Sequence, residues 1–76
     1  MYFGNREVEQ RSILRLAELA GGVGENDEDP GTLFVRFREL SYTREEVLEL
    51  LRIMAEIQPD ECTIENGGYE LRLWWD

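Results

Sequence analysis

The sequence predicts an α+β fold in which the elements run αβαββ, with a three-stranded antiparallel sheet in the order 1-3-2 and two helices on one face. Three observations support this prediction. Two segments repeat apolar residues at helical spacing, the segment between them alternates apolar and polar residues, and the last segment has the pattern of a β-hairpin. We expect residues 1–76 to form a single domain, because a chain of 76 residues supports one small core.

The first predicted helix covers residues 6–20. One side of it repeats at helical spacing and consists of Val8, Ser12, Leu16 and Leu19. Asn5 is a candidate N-cap, and Gly21-Gly22 supplies the left-handed residue at which helices commonly end. The acidic stretch that follows connects this helix to the next element, and we expect Pro30-Gly31 to close that connection as a turn.

The middle strand is predicted over residues 32–39, TLFVRFRE, because its side chains alternate between two faces. The predicted core side consists of Leu33, Val35 and Phe37. The predicted outer side consists of Phe34, Arg36 and Arg38.

A capping box opens the second predicted helix, since Thr43 and Glu46 can each satisfy a free backbone N–H group at its first turn. The helix runs until Pro59 forbids continuation. Its predicted core stripe consists of Val47, Leu50, Leu51, Met54 and Ile57. Leu48 and Ile53 widen the apolar arc, so part of it can pack on the first helix or on a second copy of the chain. The predicted solvated face consists of Glu45, Glu49, Arg52 and Glu56.

The last segment is predicted to form a β-hairpin, because Asn-Gly between alternating strands is the strongest short-range hairpin signal. The two-residue turn is Asn66-Gly67 or Gly67-Gly68, and both choices keep the same faces. The residues predicted to face the core are Cys62, Ile64, Tyr69, Leu71, Leu73 and Trp75. The residues predicted to point away are Thr63, Glu65, Glu70, Arg72 and Trp74. A strand–helix–strand crossover makes the middle strand parallel to residues 61–66, so the last strand fits between them.

The residue types argue against an enzyme. The chain has no His and no Lys, and its one cysteine, Cys62, has no base beside it. Neither a nucleophile–base pair nor a Schiff-base lysine can be assembled, and we expect no catalytic residue, no cofactor and no metal. Glu25, Asp27 and Asp29 alternate as EF-hand ligands do, but Pro30 stands where that loop requires glycine, which leaves only weak calcium binding open.

Two features of the sequence bear on the compartment. No apolar run approaches the ~20 residues that span a bilayer, and the first residues lack the basic flank and apolar stretch of a signal peptide. A lone cysteine forms no internal disulfide, which fits a reducing compartment. We therefore expect a soluble, cytoplasmic protein.

The charge of the chain is strongly one-sided. It carries 17 acidic and 8 basic residues, a net charge of −9, and every basic residue is Arg. Such a negative field repels nucleic acid and anionic membranes and attracts basic surfaces, with an effect that weakens as salt rises. The same composition is typical of salt-adapted proteins, in which acidity serves solvation.

Two surface features are candidate partner-binding sites. The stretch GENDEDPG concentrates carboxylates without a basic residue among them, and carboxylates held by a scaffold can stand in for phosphates at a protein site that binds DNA or RNA. An exposed Trp among Arg side chains on the open sheet face is typical of an interface. With the acidic face of the second helix added, the predicted partner-binding residues are Glu25, Asp27, Glu28, Asp29, Glu45, Glu49, Glu56, Phe34 and Trp74.

A short, Lys-free, strongly acidic chain with an αβαββ order and no catalytic equipment resembles the small phage-encoded inhibitors of bacterial defence, above all the anti-CRISPR proteins. The resemblance covers size, charge and architecture over the whole chain, includes no diagnostic motif and transfers no functional residue by position. It implies an inhibitor that acts in the cytoplasm of the bacterial host. Such an inhibitor blocks DNA or PAM binding by a CRISPR surveillance complex through carboxylates that mimic phosphates.

Two other functions stay open. A homodimeric structural or regulatory adaptor would use the open sheet face or the wide apolar arc of the second helix, with its acidity serving solubility or halophilic adaptation. A nucleic-acid binder would use the open face as a stacking and phosphate platform. The net charge opposes this last function, because phosphates would meet a negative field everywhere else.

Overall fold

The described residues form two α-helices and two antiparallel sheets, so the predicted single three-stranded sheet is wrong. The computed structural model describes residues 1–26 and 28–76. The elements are β1 (Tyr2–Phe3), β2 (Arg6–Glu7), α1 (Gln10–Ala20), β3 (Gly21–Asn26), β4 (Asp29–Phe37), α2 (Arg44–Ile57), β5 (Glu61–Glu65) and β6 (Glu70–Trp74). β1 pairs with β2, and the larger sheet has the order β3-β4-β6-β5.

The first residues form a hairpin where the sequence predicted the start of a helix. Gly4, with φ +61°, lies in the two-residue turn between β1 and β2. Its N–H donates to the Pro30 carbonyl at 3.0 Å, which ties the hairpin to β4. The predicted cap at Asn5 is therefore wrong, and α1 begins at Gln10. Gly-Asn between two short segments is a recognised hairpin signal, and it was the available indication of this turn.

The sequence does not predict β3, because three of its six residues are glycine, which is depleted in strands. Gly21 caps α1 and at once begins β3, so the helix passes into the sheet without a loop. β3 pairs with β4 as an antiparallel hairpin that ends at Asn26 and Asp29. Since β4 begins at Asp29, the predicted turn at Pro30-Gly31 is also wrong, and both residues lie in the strand.

The capping box that opens α2 is confirmed. The Glu46 N–H donates to Thr43 Oγ1 at 3.2 Å, and the Thr43 N–H donates to Glu46 Oε1 at 2.9 Å. The helix ends at Ile57, and Gln58 adopts the left-handed conformation directly before Pro59. No helix in the described residues has the length and apolar character needed to cross a membrane.

An ion pair and a hydrogen bond join α1 and α2 on the Glu49 side of α2. The Arg15 guanidinium of α1 binds both carboxylate oxygens of Glu49 on α2, with Nη2 at 2.9 Å from Oε1, and it also binds Glu18 at 2.9 Å. Ser12 of α1 donates to Glu56 at 3.4 Å. The side of α2 predicted to be solvated is therefore turned partly toward α1.

This rotation changes which apolar residues of α2 are buried. Ile53 and Ile57 are buried, and Leu50 and Met54 are half-buried. Val47 and Leu51, predicted as core, are exposed, as is Leu48. Around the helix axis, the buried residues thus lie between Glu49 on one side and Leu51 on the other.

The hairpin of β5 and β6 has Ile64 opposite Leu71 and Cys62 opposite Leu73. The predicted two-residue turn is wrong, because residues 66–69 form a longer loop with a 3-10 turn at Asn66–Gly68. Leu73 is buried and Leu71 is half-buried, as predicted for the core side. Cys62, Ile64 and Tyr69 are exposed, so their prediction as core residues is wrong. β5 is an edge strand, and the helices do not cover its inner side.

The helices share one face of the four-stranded sheet. α1 packs on β3, β4 and α2, and both helices contribute to the buried core. That core consists of Phe3, Val8, Ile13, Leu16, Ala20, Leu33, Val35, Ile53, Ile57, Leu73 and Trp75. By register, the opposite face carries Phe34, Arg36, Thr63, Glu65, Glu70, Arg72 and Trp74.

Trp75 joins four parts of the fold. Its ring stacks on Phe3 with centroids 4.7 Å apart, and its Nε1 donates to the Ile57 carbonyl at the end of α2 at 2.8 Å. Its backbone N–H donates to the Gly31 carbonyl of β4 at 2.9 Å. A Cβ at residue 31 would lie 2.7 Å from the Trp75 carbonyl oxygen, so this close approach requires glycine.

We expect Trp75→Ala to lower the free energy of unfolding by about 3 to 5 kcal/mol, the usual cost of truncating a buried large aromatic side chain. Trp74→Ala should cost clearly less, because the Trp74 side chain is only half-buried and lies on the face away from the helices. Urea unfolding of the two variants measures the difference. Equal losses would contradict the assignment of the two faces of β6.

The Arg15 pair predicts an acid-sensitive contribution to stability. Arg15 lowers the pKa of Glu49, chiefly by donating hydrogen bonds to its carboxylate. Because the folded pKa lies below the unfolded one, this contribution is present at neutral pH and is lost as the pH falls through the ordinary carboxyl range. Glu49→Gln should therefore lower the free energy of unfolding at pH 7. Below about pH 4, the free energies of unfolding of the variant and the parent should become more similar.

Urea unfolding at both pH values tests this expectation. Arg15→Gln provides the matched background, because adding Glu49→Gln to it should produce no further pH-dependent loss. A Glu49→Gln defect of the same size at both pH values would show that packing, and not the charge, carries the contribution.

Candidate functional site

The acidic stretch GENDEDPG lies in the β3–β4 hairpin. Glu25 is the second-last residue of β3, Glu28 lies in the turn, and both are exposed. The predicted site residue Asp27 lies outside the described residues. The stretch is therefore the end of two paired strands and not a long connection between elements.

Asp29 has a structural role in this turn. Its carboxylate accepts from the Gly31 N–H at 3.1 Å and from Thr32 Oγ1 at 2.8 Å. Thr32 is buried, and the Asp29 carboxylate satisfies its hydroxyl. Asp29 adds negative charge at this end of the sheet, but its oxygens are already engaged inside the chain.

The strand register brings further carboxylates to the same end of the sheet. Asp60 and Glu61 precede and begin β5, and Asp76 follows β6. The Asp60 N–H donates to the Trp74 carbonyl at 2.8 Å, and the Asp76 N–H donates to Asp60 Oδ2 at 2.8 Å. We call this surface the acidic end of the sheet. Its described residues are Glu25, Glu28, Asp29, Asp60, Glu61 and Asp76.

Sequence analysis missed the part of the acidic end that β5 and β6 supply. Asp60-Glu61 and Asp76 are separated in sequence from the acidic stretch by an entire helix and several strands. The local signal was present, since acidic residues stand directly before one predicted strand and directly after another. Their convergence depends on β6 pairing with β4 on one side and β5 on the other.

Charge compensation is concentrated elsewhere in the molecule. Among the described residues, ion pairs join Arg11 to Glu9, Arg15 to Glu18 and Glu49, and Arg36 to Glu70. None of these pairs involves a carboxylate of the acidic end. Neighbouring strand ends lie only about 4.8 Å apart, so uncompensated carboxylates there add their potentials.

The predicted acidic face of α2 is only partly available to a partner. Glu45 is exposed in the first turn of the helix. Glu49 is half-buried and its charge is balanced by Arg15, and Glu56 accepts a hydrogen bond from Ser12. The predicted solvated face is therefore confirmed at Glu45, Arg52 and Glu56, which are exposed, and only Glu49 is half-buried against α1.

The open sheet face brings the predicted aromatic residues close to each other but does not stack them in a platform. Phe34 is opposite Arg72, and Trp74 is opposite Thr32 and lies beside Gly31. Both aromatic side chains are half-buried. Glu70 binds Arg36 at 3.1 Å, which removes part of the positive charge that a phosphate would need.

In residues 1–26 and 28–76, no group of His, Cys, Asp and Glu side chains has an arrangement that could hold a metal ion. The clefts formed by the described residues are open to solvent, and those beside the helices are lined mainly by charged side chains such as Arg6, Glu7, Glu18 and Arg38. The carboxylates of the acidic end form no ion pair in the described residues.

Comparisons with family models, curated proteins and solved structures find no match to this chain.

Proposed function

We propose that this protein is a small acidic binding protein that occupies a basic nucleic-acid-binding surface of another protein and so inhibits it. The observation that carries the proposal is the convergence of carboxylates from three strands and one turn at the acidic end of the sheet. Because the sheet is held by backbone pairing, these charges sit on a scaffold that changes little on binding.

Electrostatics supports a basic partner. A concentrated patch of one sign steers complementary surfaces and repels surfaces of the same sign. With a net charge of −9, the chain is poorly suited to binding nucleic acid itself but well suited to competing with it. The carboxylates of the acidic end would take the place of phosphates on the partner.

A CRISPR surveillance complex is the first partner to test, because the resemblance in size and charge implies it. Such complexes hold nucleic acid in a positively charged channel and read a short PAM through basic side chains. An acidic end of this kind would compete with DNA at either surface.

The proposal predicts that three amide substitutions, Glu25→Gln, Glu28→Gln and Asp76→Asn, weaken inhibition of DNA binding. All three residues are exposed and form no ion pair in the described part of the chain, so folding should be preserved. Competition between the protein and target DNA for a purified surveillance complex, followed by gel shift, measures inhibition. The free protein should not shift the DNA.

The matched control removes three negative charges elsewhere, through Glu39→Gln, Glu45→Gln and Glu56→Gln. If charge position matters, this control should inhibit nearly as well as the parent.

Inhibition by the parent should also weaken as salt rises from 50 to 200 mM, and less so in the acidic-end variant, because screening acts on exposed charge pairs. Equal inhibition by the acidic-end variant and the parent would remove this surface from the mechanism.

A further inference from the structure

The edge strand β5 has free backbone hydrogen-bonding groups at two residues. Two hydrogen bonds of 2.9 Å flank the pairing of β4 with β6: the Phe37 N–H donates to the Tyr69 carbonyl, and the Trp75 N–H donates to the Gly31 carbonyl. Tyr69 and Trp75 are odd-numbered, so the odd-numbered residues of β6 direct their N–H and C=O groups toward β4. The even-numbered residues of β6 then face β5, where they lie opposite residues 61, 63 and 65. The N–H and C=O groups of Cys62 and Ile64 are left pointing toward the free edge.

The side chains along this edge differ between the two faces of the sheet. Cys62 and Ile64 lie on the inner side, where Ile64 is 74% exposed. Glu61 and Glu65 lie on the outer side with Thr63 between them, and neither carboxylate has an ion-pair partner in the described residues. The edge thus combines unpaired backbone, an apolar inner side and an acidic outer side.

The exposed flank of α2 extends the apolar side of this edge. Glu49 and Glu56 contact α1, which itself packs on β3 and β4. Val47 and Leu51 lie on the flank away from α1, on the β5 side of the sheet, and Leu51 is 61% exposed. The inner side of β5 and this flank of α2 are therefore both uncovered apolar surfaces on the helix-bearing side of the sheet.

We propose that β5 is a docking edge for an extended segment of a basic partner, which adds to the sheet as a fifth strand. Its backbone would pair with Cys62 and Ile64, as in strand-addition complexes. Its side chains would alternate, with apolar residues against Ile64 and the α2 flank and Lys or Arg residues beside Glu61 and Glu65. This surface is distinct from the acidic end except at Glu61, and the inference does not rest on the proposed function.

Charge decides between this occupant and a second copy of the chain. An antiparallel pair of β5 strands centred on Thr63 would place Glu61 of each copy opposite Glu65 of the other, and like charges directly opposite destabilise a sheet. Pairs centred on Cys62 or Ile64 place a glutamate opposite Thr63 instead, so in those registers only the net charge opposes a second copy. Each copy would also bring a net charge of −9. A strand with alternating basic residues removes both conflicts.

A capped octapeptide in which valine and lysine alternate is the probe. We expect it to bind the full chain and to slow amide hydrogen exchange at Cys62 and Ile64 without changing exchange at β3. It should also slow alkylation of Cys62, whose exposed thiol is the one thiol of the chain. An isomeric peptide with its valines and lysines in two blocks carries the same charge but lacks the alternation, so it should bind about tenfold more weakly or worse.

Two variants test the edge itself. Ile64→Pro removes the N–H donor that points to the free edge while leaving the β6 pairing intact, and proline is tolerated at such edge positions. Ile64→Pro should weaken peptide binding about tenfold. If this variant does not fold stably, Ile64→Glu replaces it, because a charged side chain at this position removes the apolar contact and should weaken binding by a similar factor. Ile64→Val is the matched control and should bind like the parent.

The remaining outcomes are equally decisive. The acidic-end variant with Glu25→Gln, Glu28→Gln and Asp76→Asn should bind the peptide normally, which separates this inference from the proposed function. Equal affinity for the two peptides would reduce the interaction to nonspecific charge and overturn the proposal. A chain that sediments as a dimer with β5 protected from exchange would overturn it as well, because the occupant would then be a second copy.

Discussion

The burial of Trp75 is the interaction on which the rest of the structure depends. Its ring closes the core against Phe3 of the N-terminal hairpin, and its indole N–H binds the last carbonyl of α2. Its backbone holds the end of β6 against Gly31 of β4. A chain this short has little apolar surface to bury, so one large side chain that contacts both sheets and a helix has an unusually large share in defining the fold. The same contact aligns the strand ends that form the acidic end of the sheet.

A second constraint acts between the helices. Arg15 binds Glu49 across the helix pair, and Ser12 of α1 contacts Glu56. Both contacts lie on the side of α2 that faces α1, and they accompany the rotation that α2 adopts, although an exposed ion pair by itself contributes little to stability. This rotation buries Ile53 and leaves Leu51 in solvent. An uncovered apolar flank beside an edge strand is the consequence, and it gives the molecule a surface suited to binding.

Pairing geometry and charge act together in this protein. The sheet order places β6 between β4 and β5, so acidic residues before one strand and after another meet those of the β3–β4 turn. The arginines form their pairs elsewhere, with Arg15 between the helices and Arg36 on the open sheet face. The carboxylates of the acidic end and of Glu61 and Glu65 on the outer side of β5 form no ion pair in the described residues, although Arg72 lies opposite Thr63 on that side of the sheet. Both proposed contacts favour a partner rich in Lys and Arg.

The sequence by itself determined the features that depend on neighbouring residues: the capping box of Thr43 and Glu46, the end of α2 before Pro59 and the C-terminal hairpin. These signals are short-range, because each satisfies backbone groups a few residues away. The sequence also identified the excess of carboxylates. Only the tertiary structure decided that a glycine-rich segment pairs as β3, which side of α2 is buried, and that Ile64 is exposed. The reason is that strand pairing and helix rotation depend on contacts between residues distant in sequence, which local periodicity does not encode.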